Sequence, residues 1–329
     1  MITLDQIKAP VAQEVDNYHE GFREMLSARS EWLQQAIELL EQSTGKMVRP
    51  VLTCLTAGML SGQVPSLAVD SGLLLELIHT ATLIHDDVID EAKVRRGKPT
   101  LGAIFDNRIA VLMGDFVLSS ALIAAIQTRN LRIIGIVSQI GRELTEGEIR
   151  QYETAHKAIL DEQVYFEVIK QKTAILFRSC AEVAAITADA NEEDIQRVGR
   201  IAELLGLAFQ IRDDIFDYYP SPEVGKPTGN DIREGKVTLP LLHCLLDTDL
   251  CNTEEGQLCK TFIEKQQLDE EAISKLLNFA IDNGGIQYAE ERMNSLVDEA
   301  KELIRHYHPD SVYRSSMLLL ADYIIGRNK

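Results

Sequence analysis

Proline is absent from residues 100–219, and apolar residues recur there at the spacing of an α-helix. Proline breaks a helix interior because it lacks the amide donor and clashes with the preceding turn. A stretch of this length without proline, and with helical periodicity, predicts a succession of long helices. Because 45% of the residues are hydrophobic, the chain can bury a large core, and we predict an all-α fold in one domain, 1–329.

Capping and turn residues bound several of these helices. Asn191 is predicted to cap the helix that ends at 216, since asparagine side chains accept the first amides of a helix. Residues 220–235, with three prolines and three glycines, are predicted to form a loop, and the polar stretch 253–260 a connection. The predicted helices cover residues 34–40, 51–60, 73–89, 110–126, 195–216, 286–306 and 311–325.

Two acidic clusters of identical spacing, Asp86-Asp87-x-x-Asp90 and Asp213-Asp214-x-x-Asp217, interrupt otherwise apolar helices. On a helix of about 3.6 residues per turn, acids four apart share a face, and the acid between them lies to the side. Carboxylates this close repel each other, so each cluster needs cations or water around it. Oxygen-only ligands suit Mg²⁺, which takes one or two carboxylates and completes its shell with waters and substrate phosphates. The alternative for either cluster alone is a solvated acidic face.

The overall charge argues against a nucleic-acid partner. With 51 acidic residues against 33 Lys and Arg, the formal charge is −18, whereas phosphate backbones need a basic surface. The five cysteines form no C-x-x-C pair, so neither a disulfide framework nor a zinc site is indicated, and a reduced, cytoplasmic protein fits best. No secretory signal is expected at the start and no membrane span elsewhere; the nearest candidate, 110–126, contains Asp115 and is assigned to the core.

Basic residues that could bind phosphate lie near the acids along the chain. They are Lys46, Arg49, Arg95, Arg96, Lys172, Lys226 and Lys236. Lys46 and Arg49 share one side of a first helical turn, where backbone amides also favour anions. His79 lies two turns before Asp86 on the same face, and His85 adjoins it. Each residue alone is compatible with an ordinary surface or core role, so the prediction of a phosphate site rests on the set.

A series of short motifs follows in one order from residue 45 to residue 242. The series is Gly45-Lys46-x-x-Arg49-Pro50, Glu76-x-x-His79, Asp86-Asp87-x-x-Asp90, Arg95-Arg96-Gly97-Lys98-Pro99-Thr100, Gly114-Asp115, Gly147-Glu148-x-x-Gln151, Lys172-Thr173-Ala174, Phe209-Gln210-x-x-Asp213-Asp214-x-x-Asp217 and Gly225-Lys226-x-x-Gly229-x-Asp231-x-x-x-Gly235-Lys236. In order and spacing it resembles the trans-isoprenyl diphosphate synthases, the polyprenyl synthetase family.

This resemblance implies an all-helical isoprenoid synthase fold around a deep central cavity, with the two acidic clusters facing each other across its mouth. The implied catalytic residues are Asp86, Asp87, Asp90, Arg95, Lys172, Asp213, Asp214 and Asp217. Of these, the implied Mg²⁺ ligands are Asp86, Asp90, Asp213 and Asp217. The implied contacts of the allylic diphosphate are Arg95, Lys172, Thr173, Gln210, Lys226 and Lys236. Those of isopentenyl diphosphate are Lys46, Arg49, His79 and Arg96.

The reaction implied by the resemblance is ionisation, condensation and elimination. Metal ions and cations stabilise the departing diphosphate, isopentenyl diphosphate attacks the allylic cation, and a proton is lost to the released diphosphate. No Ser, Cys or His nucleophile is required. The resemblance also implies a homodimer in the cytoplasm that contacts membranes at most transiently, when it releases an apolar product.

Product length is predicted from the fifth residue before the first cluster, which is often aromatic in short-chain members of the family. Here it is Ala81, followed by Thr82, and both are small. At about 1.5 Å per residue, this position lies about 7.5 Å from Asp86 along the helix. Without a ring there, we expect a long-chain, octaprenyl-like product, stopped deeper by a residue such as Phe116 or Leu118.

Three alternatives remain at this point. A short-chain farnesyl or geranylgeranyl diphosphate synthase requires another residue to close the channel. A class I terpene cyclase has one diphosphate site and does not need the Lys46, Arg49 and Arg96 cluster. A subunit of a heteromeric synthase could lose its acids without penalty, whereas both clusters are intact here.

Overall fold

The structure is a computed structural model that describes residues 2–42, 45, 47–95, 97–219 and 228–326. Within these ranges the chain is helical almost throughout. The α-helices are α1 (Leu4–Lys8), α2 (Ala12–Met25), α3 (Glu31–Gln42), α4 (Val48–Ser61), α5 (Ser66–Ile89), α6 (Leu101–Ile104), α7 (Asn107–Gln127), α8 (Leu131–His156), α9 (Glu162–Ile169), α10 (Ile175–Thr187), α11 (Glu192–Phe216), α12 (Asn230–Arg233), α13 (Leu239–Leu246), α14 (Thr248–Cys251), α15 (Glu254–Glu264), α16 (Glu270–Asp282), α17 (Gly285–Arg305) and α18 (Val312–Gly326).

Three short elements complete the chain within the described ranges. A 3₁₀ turn covers Ala9–Val11, and a π-helical segment, Lys170–Ala174, separates α9 from α10. The strands β1 (Val94–Arg95) and β2 (Lys98–Pro99) form an antiparallel hairpin. The predicted all-α class is confirmed, and the hairpin and the π-helical segment are additions to it.

The residues group into two compact units. Unit 1 comprises Met1–Gly141, Leu176–Ala202 and Glu302–Tyr323. Unit 2 comprises Arg142–Ile175, Glu203–Lys301 and Ile324–Lys329. The prediction of one domain over 1–329 stays a prediction.

In unit 1, α5 packs most extensively against α7 and also contacts α4 and α2. It begins at Ser66, seven residues before the predicted start at 73. The polar residues and Gly72 before that position resemble a helix end in the sequence. In the structure Gly72 is a packing position, because a Cβ there would overlap the hydroxyl of the buried Tyr18 on α2. The glycine therefore permits two helices to approach closely.

In unit 2, α13 packs against α9, α15 and α16. The prediction of a connection at 253–260 is wrong, because α15 covers most of it. The Thr253 hydroxyl accepts the Gly256 amide as an N-cap, and the buried Cys259 and Ile263 lie on one face. Few apolar residues are needed to bury a helix when they share a face. Likewise α12 occupies part of the predicted loop 220–235.

Two helices among the described residues, α5 and α7, are long and apolar enough to cross a membrane. The sequence predicts no membrane span and a core position for 110–126, which lies within α7, and that expectation stays a prediction. The buried share of the apolar window is 56% in α5 and 44% in α7, and the two helices pack against each other. Buried core helices can be equally long and apolar, so length and composition alone do not indicate a membrane span.

Candidate active site

The first acidic cluster lies at the C-terminal end of α5, which closes in a Schellman-type motif. Asp90 caps the helix, and Glu91 adopts a left-handed conformation with φ 50°. The Ala92 amide donates to the carbonyl of Asp87 at 2.9 Å, and the Glu91 amide to that of Val88. These bonds satisfy the last carbonyls of the helix and fix the backbone that carries the three aspartates.

Asp87 is neutralised by a side chain of the hairpin. Arg95 Nε donates to Asp87 Oδ1 at 2.7 Å, and the Asp87 side chain is 13% exposed. Lys98, on the second strand, donates to the carbonyl of Gln42 at the end of α3, at 2.5 Å. The hairpin thus connects the first cluster to α3. Asp86 is half-buried and Asp90 is exposed.

A cavity of about 330 Å³ lies beside α5 within unit 1. It brings together His79, Asp87 and Arg95 with apolar side chains of α2, α3 and α6. Arg49 lies at the start of α4, with its guanidinium carbon 5.2 Å from the centre of the Phe177 ring. Lys46 and Arg96, which are predicted to bind the same diphosphate, lie outside the described residues.

The candidate length-determining residues occupy another part of α5. Ala81 is 1% exposed, and the Thr82 hydroxyl donates to the carbonyl of His79 at 2.8 Å. One turn later, His85 packs on Gly114 of α7, where a Cβ would overlap the imidazole. Its Nε2 lies 3.4 Å from Asp115 Oδ1. In the Gly114-Asp115 motif, the glycine therefore leaves room for the imidazole of His85, the residue next to Asp86, and the aspartate lies beside its Nε2.

In unit 2, the second cluster contains a buried carboxylate with three linked partners. Asp214, 3% exposed, accepts hydrogen bonds from the Tyr165 hydroxyl at 2.6 Å and from Gln210 Nε2 at 2.8 Å. The Thr173 hydroxyl donates to Gln210 Oε1 at 2.6 Å. Burial, followed by the charge of Asp231, raises the pKa of Asp214 well above its ordinary value, against the two hydrogen bonds. Asp213, its neighbour, is half-buried.

Asp217 lies just beyond the end of α11 and holds the start of α12. Its carboxylate accepts the amides of Asn230 at 3.1 Å and Asp231 at 2.9 Å. Its carbonyl accepts the Gly229 amide at 2.9 Å. Asp217 therefore attaches residues 229–231 to the end of α11. Lys226, another predicted contact, lies outside the described residues. The role of Asp217 as a Mg²⁺ ligand stays a prediction.

The remaining predicted residues of unit 2 line a cavity of about 180 Å³. Lys172, Gln210, Asp214 and Lys236 contribute to its wall. Lys236 Nζ also lies 2.5 Å from Glu234 Oε2. Tyr165 lines the same cavity and is not among the predicted residues, because its partner Asp214 is 49 positions away and no local motif marks the pair.

The donor set fits Mg²⁺. Among the described residues, no three His, Cys, Asp or Glu side chains are close enough to hold an ion by themselves. Mg²⁺ does not need such a cage, since it binds through one or two carboxylates together with waters and substrate phosphates. Both clusters supply carboxylate oxygens of this kind, and Asp87 and Asp214 are held in place by neighbouring side chains.

The comparisons with known proteins agree on one family. The polyprenyl synthetase family profile matches residues 30–280. The chain is 33% identical to the octaprenyl diphosphate synthase of Haemophilus influenzae, over 100% of this chain and 98% of the relative. Its fold matches a polyprenyl synthase from Caulobacter crescentus CB15 complexed with calcium and isoprenyl diphosphate, with a TM-score of 0.91, 28% identity and coverage of 99% and 98%.

A third match carries a different product in its name. The geranylgeranyl pyrophosphate synthase of Bacteroides thetaiotaomicron is 36% identical, with a TM-score of 0.83 and coverage of 98% of this chain and 99% of that one. Together the matches confirm the predicted family, the isoprenoid synthase fold and a prenyltransferase. The chain belongs to the polyprenyl synthetase family.

Proposed function

We propose that the protein is a long-chain all-trans polyprenyl diphosphate synthase. It condenses isopentenyl diphosphate onto a farnesyl-type allylic diphosphate, with an octaprenyl-like product. One observation carries the proposal: an acid of each cluster is held by a neighbouring side chain, Asp87 by Arg95 and Asp214 by Tyr165 and Gln210. These bonds fix the helix end that carries the other aspartates of each cluster.

The allylic diphosphate is assigned to the cations and hydrogen-bonding groups around these acids. Asp86, Asp90, Asp213 and Asp217 would hold Mg²⁺, which would stabilise the negative charge of the departing diphosphate. Lys172 keeps one of its three N–H donors for a phosphate oxygen after its two hydrogen bonds within unit 2. Gln210 is oriented by Asp214 and Thr173. The remaining proposed contacts are Arg95, Lys226 and Lys236.

Isopentenyl diphosphate is assigned to Lys46, Arg49, His79 and Arg96, a set that contains basic side chains and no carboxylate. The difference between the two sets of contacts has a chemical reason. The allylic diphosphate leaves and needs stabilisation of growing charge, whereas the other diphosphate keeps its charge and needs only cations. The proton lost from the condensed product is assigned to the released diphosphate. Water must be excluded, because it would quench the allylic cation.

The long product is supported by Ala81 and by similarity to an octaprenyl diphosphate synthase. A short-chain product is the second candidate, favoured by the 36% identity to a geranylgeranyl pyrophosphate synthase. We expect the purified protein alone to incorporate labelled isopentenyl diphosphate onto farnesyl diphosphate in the presence of Mg²⁺, giving chains much longer than C20 on thin-layer sizing. EDTA should abolish incorporation. Products of C20 or less would establish the second candidate, and Mg²⁺-dependent activity only with a partner chain would establish a heteromeric synthase.

We also propose that the protein is a cytoplasmic homodimer whose membrane contact is transient and confined to product release. The helix α7 is rich in apolar residues, yet Leu112, Ile123 and Ile126 on one face are 62%, 58% and 63% exposed. An apolar face of a helix is normally covered, so a second copy of the chain is the proposed cover.

Replacing Ile123 with glutamate is expected to convert the dimer to a monomer, because it places a charge in an apolar contact. Light scattering coupled to size-exclusion chromatography measures the mass. Val312→Glu, at another exposed apolar residue (59% exposed), is the matched control and should leave the mass unchanged. A wild-type protein that runs as a monomer at micromolar concentration would contradict the assignment.

A further inference from the structure

The π-helical segment Lys170–Ala174 places Gln171 and Lys172 against helix α8. A π-helical turn contains an extra residue and is frequent at functional sites. Its partner on α8 is Gly147, where a Cβ would lie 2.7 Å from Gln171 Cβ and 3.3 Å from the Gln171 carbonyl carbon. Any side chain at 147 would displace the segment. The close contact therefore depends on glycine.

Two polar side chains on the next turn of α8 hold the ammonium of Lys172. Glu148 Oε2 lies 2.5 Å from Lys172 Nζ, and Gln151 Oε1 accepts a hydrogen bond from the same nitrogen at 3.0 Å. Glu148 and Gln151 are three residues apart and so share one face of the helix. Gln151 Nε2 also donates to Glu148 Oε1, at 3.4 Å. The side chains of Glu148 and Lys172 are 26% and 24% exposed, so the ion pair is shielded from much of the solvent.

We propose that Glu148 and Gln151 are positioning residues that fix Lys172 for the leaving diphosphate, and that Gly147 gives the π-helical segment the room to present it. The inference rests on the proposed function of Lys172. A free lysine side chain has many rotamers, and holding it in one conformation beforehand removes an entropic cost from the reaction. The motif Gly147-Glu148-x-x-Gln151 therefore serves to position Lys172.

The proposal predicts where the effect falls kinetically. Charge on the diphosphate grows as the carbon–oxygen bond breaks, so a misplaced lysine weakens the transition state more than the bound substrate. Glu148→Ala is expected to lower kcat about 10- to 100-fold, with a much smaller change in KM for the allylic substrate. Glu148→Gln keeps an acceptor oxygen and should retain more turnover than Glu148→Ala.

A double-mutant cycle with Lys172→Ala tests whether Glu148 acts through Lys172. In the Lys172→Ala background, Glu148→Ala is expected to change kcat less than twofold. Equal losses in both backgrounds would overturn the proposal. Glu146→Ala is the matched control: Glu146 lies on the same helix, pairs with Arg142 at 2.8 Å and is 47% exposed, and its loss should leave kcat unchanged.

A binding cycle separates this proposal from the proposed function. Farnesyl thiolodiphosphate, in which sulfur replaces the bridging oxygen, binds without ready ionisation, and calorimetry gives its Kd with Mg²⁺. Where the wild-type enzyme forms product, coupling between Glu148 and Lys172 in kcat supports the positioning role and additivity in kcat overturns it. If the wild-type enzyme binds the probe but forms no product, the proposed function fails, and coupling or additivity in Kd then supports or overturns the positioning role. Gly147→Ala, which removes no polar group, should reduce kcat in the same direction as Glu148→Ala, and an unchanged kcat would count against the π-helical contact.

Discussion

Replacing Asp213 with alanine is expected to lower Mg²⁺-dependent turnover a thousandfold or more, and to lower the free energy of unfolding less than replacing the buried Asp214. Asp213 is half-buried at the end of α11 and is a proposed Mg²⁺ ligand. Metal ions contribute several kcal/mol of charge stabilisation to such a transition state, and about 1.4 kcal/mol corresponds to a factor of ten in rate. Incorporation of labelled isopentenyl diphosphate gives the turnover, and urea unfolding gives the stability.

The adjacent acid should behave differently. Asp214→Ala removes the acceptor of two buried hydrogen bonds and leaves the Tyr165 hydroxyl and the Gln210 amide unpaired. It is therefore expected to lower the free energy of unfolding by about 1–3 kcal/mol, together with turnover. Asp298→Ala, at an exposed acid of α17, controls for the loss of one negative charge. If Asp213→Ala destabilises as much as Asp214→Ala while retaining turnover, the two roles are wrongly assigned.

Ala81→Tyr is expected to shorten the product. Ala81 is 1% exposed, so a ring placed there must fill space next to its neighbours, including any path of a growing chain past α5. The product should move from long chains toward C15–C20, as measured by reversed-phase thin-layer chromatography of the dephosphorylated prenols. Overpacking typically costs about 1–3 kcal/mol, so a melting curve must show that the variant is folded.

Ser66→Tyr is the matched control for this substitution. Ser66 is the first residue of the same helix and is exposed. A tyrosine at 66 therefore adds the same ring outside the core and should leave product length unchanged. Equal products from Ala81→Tyr and the wild type would remove Ala81 as the determinant and direct attention to Phe116 and Leu118, both half-buried on α7.

Local sequence signals predicted several long helices but not their packing. The Asn191 cap is observed, with the Asp194 amide donating to its side chain at 2.9 Å, because capping depends only on neighbouring residues. The start of α5 was missed because Gly72 serves a contact with Tyr18, 54 positions earlier in the chain. The π-helical segment was missed because an extra residue in one turn shifts the helical phase between α9 and α10. A reading that assumes one continuous period cannot detect that shift.

The acids of the candidate site were identifiable from their spacing, but the differences between them were not. Asp86 and Asp87 are equivalent in a motif, yet only the hairpin brings Arg95 onto Asp87. Asp213 and Asp214 are likewise distinguished by Tyr165, which comes from another helix. Glu148 and Gln151 belonged to a recognisable motif whose target, Lys172, lies more than twenty residues away. Roles of this kind depend on contacts that spacing alone does not contain.

The hydrogen bonds of Asp217 have a thermodynamic consequence. Its carboxylate oxygens bind the amides at the start of α12, and in the proposed function the same oxygens bind Mg²⁺. If the ion weakens the hydrogen bonds from these amides, the attachment of residues 229–231 to Asp217 is linked to the affinity for the ion. Linkage is reciprocal, so the two equilibria must shift each other by the same factor. Substitutions in α12 that strengthen its attachment should therefore lower Mg²⁺ affinity without touching a metal ligand.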